Sequence, residues 1–426
     1  MINDFRFALT SKPVIIILFT SAAIRILVHF ILLPQSPSVF GPDEGTYALL
    51  AIYVAQGLPV EEFPLYGPGL YNSAKSLAVP SALLVRFGFE GLNAVRIIAS
   101  VYGLASSVFM VLSFLAYLRL RNPNIQIFNY AFDKKYISLL AVFTFLPSNF
   151  IWSTIGLRES ASQFWLIATF YFTLKLLNSN GRDTWKFTVF ILLALTLAFG
   201  ARPQTALVFS FIAMFFAIII SVKRQTFSLA IAILIGFFAG QIFTTTPTAP
   251  TAPTAPKTID PLKTIQNQIF ILRTLENRRN VNAIDAQSAL PKSTCQNSST
   301  SLVIIISCNI SELPYRIFAF LFRPLLFFDR GSTTQNFAAL ENLGWIMLVP
   351  LSTWVALRKK QGAINRLTGL ALISYVFVFA SSAALYEGNL GTAFRHKSTI
   401  LWPLIFILMI TPSLMPKFRK ETTTVS

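Results

Sequence analysis

Three stretches of this chain carry residue types suited to chemistry on an anionic substrate. The first is GPDEGTY (41–47), where Asp43 and Glu44 stand side by side after a proline. A carboxylate there can take a proton from a hydroxyl. The same pair also suits a helix start, with Asp43 as N-cap and Glu44 in a first turn that favours negative charge. The second is LPSNFIWSTIGLRES (146–160), in which Arg158 and Glu159 are set in apolar sequence. Charges at membrane depth are costly and therefore functional candidates; a local pair between the two is the plain alternative. The third is a set of cations: Arg202 in GARPQ, Arg316 and Arg323 in LPYRIFAFLFRPLLFF (313–328), and Arg395, His396 and Lys397 in GNLGTAFRHKS. These can hold a phosphate through charge-assisted hydrogen bonds, or simply extend to lipid headgroups. His396 is one of two histidines, and His29, inside the first apolar segment, reads as a packing residue.

The elements that must position these residues are apolar helices. Of 426 residues, 54% are hydrophobic, 12% are charged and 41 are Phe, with a mean hydropathy of +0.61. A soluble domain carries roughly a quarter charged residues. Apolar spans fall near 13–33, 93–118, 136–150, 161–177, 187–199, 205–222, 227–243, 340–357, 367–385 and 398–411. The expected fold class is an all-α polytopic membrane protein of about ten transmembrane helices, within roughly eight to twelve, several spans being shorter than the ~20 residues of a perpendicular crossing. The first segment lacks the cleavage pattern of a signal peptide and reads as a retained helix.

A net charge of +18 suggests nucleic acid at first sight, but the distribution argues for topology. With the N-terminus inside, the cytoplasmic segments hold 17 Lys/Arg and the short outer loops hold six. That is the Lys/Arg bias of short loops, and no nucleic-acid partner is expected. Thirteen of the 17 acids fall outside, among them Asp43, Glu44, Glu159, Glu341 and Glu387. An outward-facing active site is one cause. A plain hydrophilic loop accounts only for those between Asp260 and Asp329. Cys295 and Cys308, the only two cysteines, share the long outer loop, where a disulfide fits an oxidising compartment; two free thiols are the alternative.

Residues 1–244 read as an N-terminal transmembrane module containing a first outer loop, 34–92, rich in proline. Within it, 43–56 can form an interfacial helix with Tyr47, Leu50 and Val54 on one face and Gly57 at its end. The tract TTTPTAPTAPTAPKT (244–258) is a polyproline-like spacer. It opens an outer loop, 245–338, with an interfacial or re-entrant helix at 313–328 that Pro324 breaks. A three-helix module, 339–426, follows. No Walker A, Rossmann or zinc-ligand spacing is present.

PDEGTYALLAIYVAQG after a first helix, then FPLYGPG, then a helix entered through AVRIIASVYG, resembles the GT-C class of polyprenol-phosphate-dependent glycosyltransferases. That class includes protein mannosyltransferases and lipid A aminoarabinose transferases. Glu159 matches the acidic position this pattern places between the third and fourth helices. The resemblance spans 1 to about 245, whereas FLFRPLLFF and NLGTAFRHK are more similar to bacterial polysaccharide polymerases. The resemblance implies Asp43 as base with Glu44 orienting it. It implies Arg202, Arg395 and Lys397 on the donor phosphate, seconded by Arg316, Arg323, Arg158 and His396. Asp43 and Glu159 can hold Mg2+ or Mn2+ between them, and metal-free catalysis is equally open. The implied partners are a polyprenyl-phosphate-linked sugar donor, a glycan, lipid or protein acceptor, and membrane lipids. The implied setting is a bacterial cytoplasmic membrane with the site facing outward. The alternatives are a repeat-unit polymerase using lipid pyrophosphates, and a lipid-linked sugar transporter or flippase. The gathering of charge at one membrane face favours an enzyme over the last.

Overall fold

The computed structural model describes residues 11–33, 42–60, 67–122, 133–179, 183–220, 229–236, 302–326, 333–358, 363–387 and 390–411, with single residues 6, 10, 63, 239 and 329. Among them all regular structure is helical. The elements are α1 (Lys12–Leu27), continued by a π-helical turn (Val28–Leu32), α2 (Pro42–Ala55), α3 (Gly67–Asn72), α4 (Lys75–Arg86), α5 (Gly91–Arg121), α6 (Lys134–Phe145), α7 (Pro147–Thr154), α8 (Arg158–Leu177), α9 (Thr184–Ala201), α10 (Pro203–Ile220), α11 (Leu302–Phe322), α12 (Thr333–Leu357), α13 (Ala363–Tyr386), α14 (Leu390–Lys397) and α15 (Leu401–Met409). A helical stretch at 229–236 follows α10.

Five of the described helices are long and apolar enough to cross a membrane, and a sixth crossing results if the bent pair α6–α7 is one span. The apolar run 136–150, read as one span, is two helices meeting at 46°. Pro147 supplies the reason: it has no N–H to continue α6, and its fixed φ suits the first position of a new helix. The start of α7 is held by Glu341 of α12, whose Oε2 accepts the Ser148 backbone N–H at 2.7 Å.

The run 187–199 extends to the 18-residue α9. The run 398–411 contains a 3-10 turn (Ser398–Ile400) leading into the nine-residue α15, every residue of which is buried. It lies against α5, α6, α12 and α13. The helix expected at 313–328 runs instead from Leu302 to Phe322, because the apolar sequence 302–306 extends it backwards. It stops before Arg323, whose helical conformation the following Pro324 disfavours. The Thr-Ala-Pro spacer and Cys295 lie outside the described residues, and Cys308 falls in α11 with its side chain outside them, so the expected disulfide does too.

α5 is the spine of the N-terminal half, packing on α2, α4 and α8. Its small buried residues, Ala94, Ala99, Gly103, Ser106 and Ser107, let neighbours approach closely. At Gly103 an added Cβ would lie 2.6 Å from Ser153 Cβ of α7. A separate apolar cluster formed within and beside the segment 42–92 fixes α2. Tyr47, Leu50 and Ala51 pack there with Phe63, Leu77, Ala78, Leu92, Val95 and Leu157. This is the face of α2 expected from its periodicity, and the helix is followed by Gly57 at φ +72°.

Candidate functional site

Glu159 lies in the first turn of α8, where the helix dipole favours a carboxylate. The chain reaches it through Gly156, at φ +72°, a conformation that L side chains rarely adopt. A Cβ at Gly156 would also sit 3.0 Å from Val95 Cγ2 of α5, so this turn is pressed onto the spine. Glu159 is 1% exposed. Its Oε1 is 3.3 Å from Arg202 Nη1, 3.2 Å from Arg395 Nε and 3.7 Å from His396 Nε2.

The partners arrive from two other elements. Arg202 caps the C-terminus of α9 and precedes Pro203, which keeps it extended and turns its side chain back to α8. Arg395 and His396 lie in the last turn of α14. Arg395 reaches past Glu159 to α2, where its Nη1 donates to Asp43 Oδ2 at 2.6 Å. The Asp43 side chain is 41% exposed, so the cluster opens on that side. Arg202 also donates to His396 Nε2, and His396 Nδ1 faces Glu387 just beyond α13. Arg158 turns away from Glu159 and donates to the Ser73 hydroxyl (2.6 Å) and carbonyl (3.2 Å). No local Arg158–Glu159 hydrogen bond or salt bridge forms.

Burial raises the Glu159 carboxyl, but Arg395, Arg202 and Arg158 outweigh it and hold it below the usual carboxylate range. Glu387 goes the other way, with burial pushing it up to about 7 in spite of Arg202 and Arg395. Burial, together with Arg202, Arg395 and Arg158, drives the His396 imidazole well below its ordinary value, so the ring is neutral. Below about pH 7, where Glu387 is protonated, Arg202 and Arg395 meet Glu159 and Asp43 with Arg158 nearby, and an anion entering from the Asp43 side meets surplus positive charge.

Several candidates go elsewhere. Glu44 is fully buried and paired with Arg96 of α5, at 2.5 Å (Oε1–Nε) and 3.1 Å (Oε2–Nη2). It does not orient Asp43, because neighbouring helical positions point to different faces. Arg316 pairs with Glu312 one turn before it, and Arg323 pairs with Asp329. Lys397 donates to Leu321 O (3.3 Å), Arg323 O (3.2 Å) and Asn342 Oδ1 (2.6 Å), so its donors are used in holding the end of α11. Burial lowers the Lys397 ammonium. These three cations therefore lie outside the cluster. A divalent ion bridging Asp43 and Glu159 does not fit either, since the Arg395 guanidinium contacts both and fills the place between them.

Two members went unselected in the sequence. Glu387 stood among the outer acids, and its one distinguishing mark is its place directly after an apolar helix. Tyr47, one turn beyond Asp43, is 2% exposed beside Arg158, Glu159 and Arg395, and burial raises its phenol.

No known protein-family model matches this chain, and no curated protein or solved structure matches it.

Proposed function

We propose that the chain is a multi-pass membrane glycosyltransferase of GT-C-like fold, with about ten spans. It moves a sugar from a polyprenyl-phosphate donor to a hydroxyl of a glycan, lipid or protein on the outer side of the membrane. The observation that carries this reading is the meeting of Asp43, Glu159, Arg202 and Arg395. They come from four distant segments, yet form one buried acid–cation cluster open at Asp43.

The acceptor O–H gives its proton to Asp43 as its oxygen attacks the anomeric carbon. The carbon–oxygen bond to the lipid phosphate breaks, and its electron pair stays on the phosphate oxygen. Arg395 and Arg202 stabilise the charge that develops there, and fixed donors in a water-poor site do this at little reorganisation cost. Arg158 is close enough to strengthen the field. Glu159 holds the arginines in place without taking part in proton transfer. The polymerase alternative draws on Arg316 and Arg323, which pair locally with Glu312 and Asp329 and do not join the Asp43–Glu159 cluster. The Lys/Arg distribution supports a topology with both termini in the cytoplasm and the cluster outside.

The test is release of polyprenyl phosphate from synthetic polyprenyl-phosphate-hexoses by the full chain in lipid nanodiscs, with hydroxyl acceptors supplied. Asp43→Asn should cut the rate by roughly 10²–10⁴ and leave the unfolding temperature close to that of the parent. Undiminished release by Asp43→Asn, or no release by the parent from any such donor, defeats the proposal.

A further inference from the structure

Glu387, His396 and Arg202 lie in contact in a row, and the Arg202 end of that row constrains where the imidazole proton sits. A guanidinium has donors only, so where Arg202 Nη2 meets His396 Nε2 the imidazole nitrogen accepts and carries no proton. The ring is neutral, so its single proton is on Nδ1. Nδ1 lies against Oε1 of the Glu387 carboxyl, whose side chain is 5% exposed, in a contact that is close but not aligned as a hydrogen bond, and Glu387 Oε1 is the acceptor a small ring or carboxyl rotation brings into line. An imidazole in water prefers the opposite tautomer, with the proton on Nε2. Which nitrogen holds the proton inside a protein is set by the bond the other nitrogen makes.

We propose that Glu387 is a positioning residue: by accepting the Nδ1 proton of His396 it fixes the tautomer whose Nε2 receives Arg202, and so holds the Arg202 guanidinium against Glu159. The consequence is electrostatic as well as geometric. His396 is an acceptor without charge, so it anchors Arg202 without neutralising it. A second carboxylate in its place would restrain the guanidinium equally but cancel its charge. If the tautomer switched, an Nε2–H would confront an Arg202 N–H, and the guanidinium would swing away. The charged groups facing Glu387 are Arg158 and Glu159 from α8, Arg202 from the end of α9, and Arg395 beside His396 on α14. None of these is an acceptor for Nδ1–H in place of Glu387, because Glu159 lies on the Nε2 side of the ring. The importance of Arg202 rests on the proposed phosphate-leaving reaction, but the tautomer does not.

The experiment reads the tautomer directly. The full chain is labelled with [15N]histidine, reconstituted in lipid bilayers and studied by solid-state NMR at neutral pH. His29→Gln leaves one imidazole to observe, since the chain has two histidines. The expected spectrum shows a protonated Nδ1 and a bare Nε2. Glu387→Gln keeps an acceptor oxygen and should keep that spectrum. Glu387→Leu removes the acceptor, and the Nε2–H form should become the major species. A protonated Nε2 in the parent, as either a neutral ring or an imidazolium, overturns the proposal, as does a Glu387→Leu spectrum identical to the parent's. If Glu387→Leu does not fold, the parent spectrum still decides. The measurement needs no turnover, so failure of the glycosyltransferase reading leaves it intact, and failure of the tautomer leaves the Asp43 chemistry untouched.

Discussion

Replacing Glu159 by Gln keeps the shape of the side chain and removes the charge that two arginines share. Its Oε1 is 3.3 Å from Arg202 and 3.2 Å from Arg395, in a side chain only 1% exposed. At an effective dielectric of about 20, each unit-charge contact of this length is worth about 5 kcal/mol, or roughly 10 kcal/mol for both. Desolvation of the ions offsets much of this, at several kcal/mol per ion. Removing one partner of a buried pair typically costs about 3–5 kcal/mol, since the remaining charge stays buried and uncompensated. Arg395 keeps Asp43 and Arg202 keeps the neutral His396, so Glu159→Gln belongs within that range rather than beyond it. The pH dependence has a definite sign. Burial raises the carboxyl and the three arginines lower it, with a net position below its ordinary 4.5. A carboxyl lowered by folding stabilises the fold above its unfolded value, and that contribution is lost as pH falls through the folded one. Unfolding in mild detergent should therefore show the largest gap between parent and variant at pH 7, shrinking below about pH 4.5. Equal stability at pH 7, or a gap that does not change on acidification, would refute the argument.

Glu387 carries the opposite sign. Burial pushes its carboxyl from 4.5 up to about 7, worth a few kcal/mol at most, on the order of 3. The associated stabilisation is complete below pH 4.5 and lost as pH rises through about 7. Glu387→Gln should thus unfold later than the parent at about pH 8 and alike at about pH 4.5; a variant weaker at both values excludes the account. Arg96→Gln leaves the fully buried Glu44 without its cation and should cost about 3–5 kcal/mol. Adding Glu44→Gln should restore part of this, and strict additivity in the double-mutant cycle would count against the pair. Gly103→Ala places a methyl 2.6 Å from Ser153 Cβ and 3.0 Å from Arg25 Nη2. It should cost about 1–3 kcal/mol by overpacking, with partial recovery in the Gly103→Ala/Ser153→Gly double variant.

The helical class, the α2 face and most helix positions were legible because they depend on hydropathy and spacing, which are local in sequence. Asp43, Glu159, Arg202, Arg395 and His396 stood out in the sequence as polar groups at the ends of apolar runs, and the structure brings them into contact. What escaped was assignment among partners. Glu44 and Asp43 are adjacent, and only the rotation of α2 about its axis decides that one meets Arg96 and the other Arg395. Lys397 and Arg395 are two residues apart on α14, and only the position of α11 decides that the lysine is consumed by carbonyls. Arg316 and Arg323 had acids four and six residues away, a local pairing signal that outweighed their attraction as phosphate ligands. The divided helix α6–α7 was readable from Pro147, but the apolar run across it masked the break.

The burial of all nine residues of α15 bears on how the protein is made. Helices enter a membrane in order of synthesis, so α5, α6, α12 and α13 are in place before α15 emerges, yet it ends up wedged among them. The earlier helices must either associate loosely or hold a slot open until the ribosome has delivered residue 409. Nascent chains stalled before α15 would then be the form most exposed to membrane proteases. They would also lack a settled α14 and its arginine, so assembly of the bundle and completion of the charged cluster become one late event.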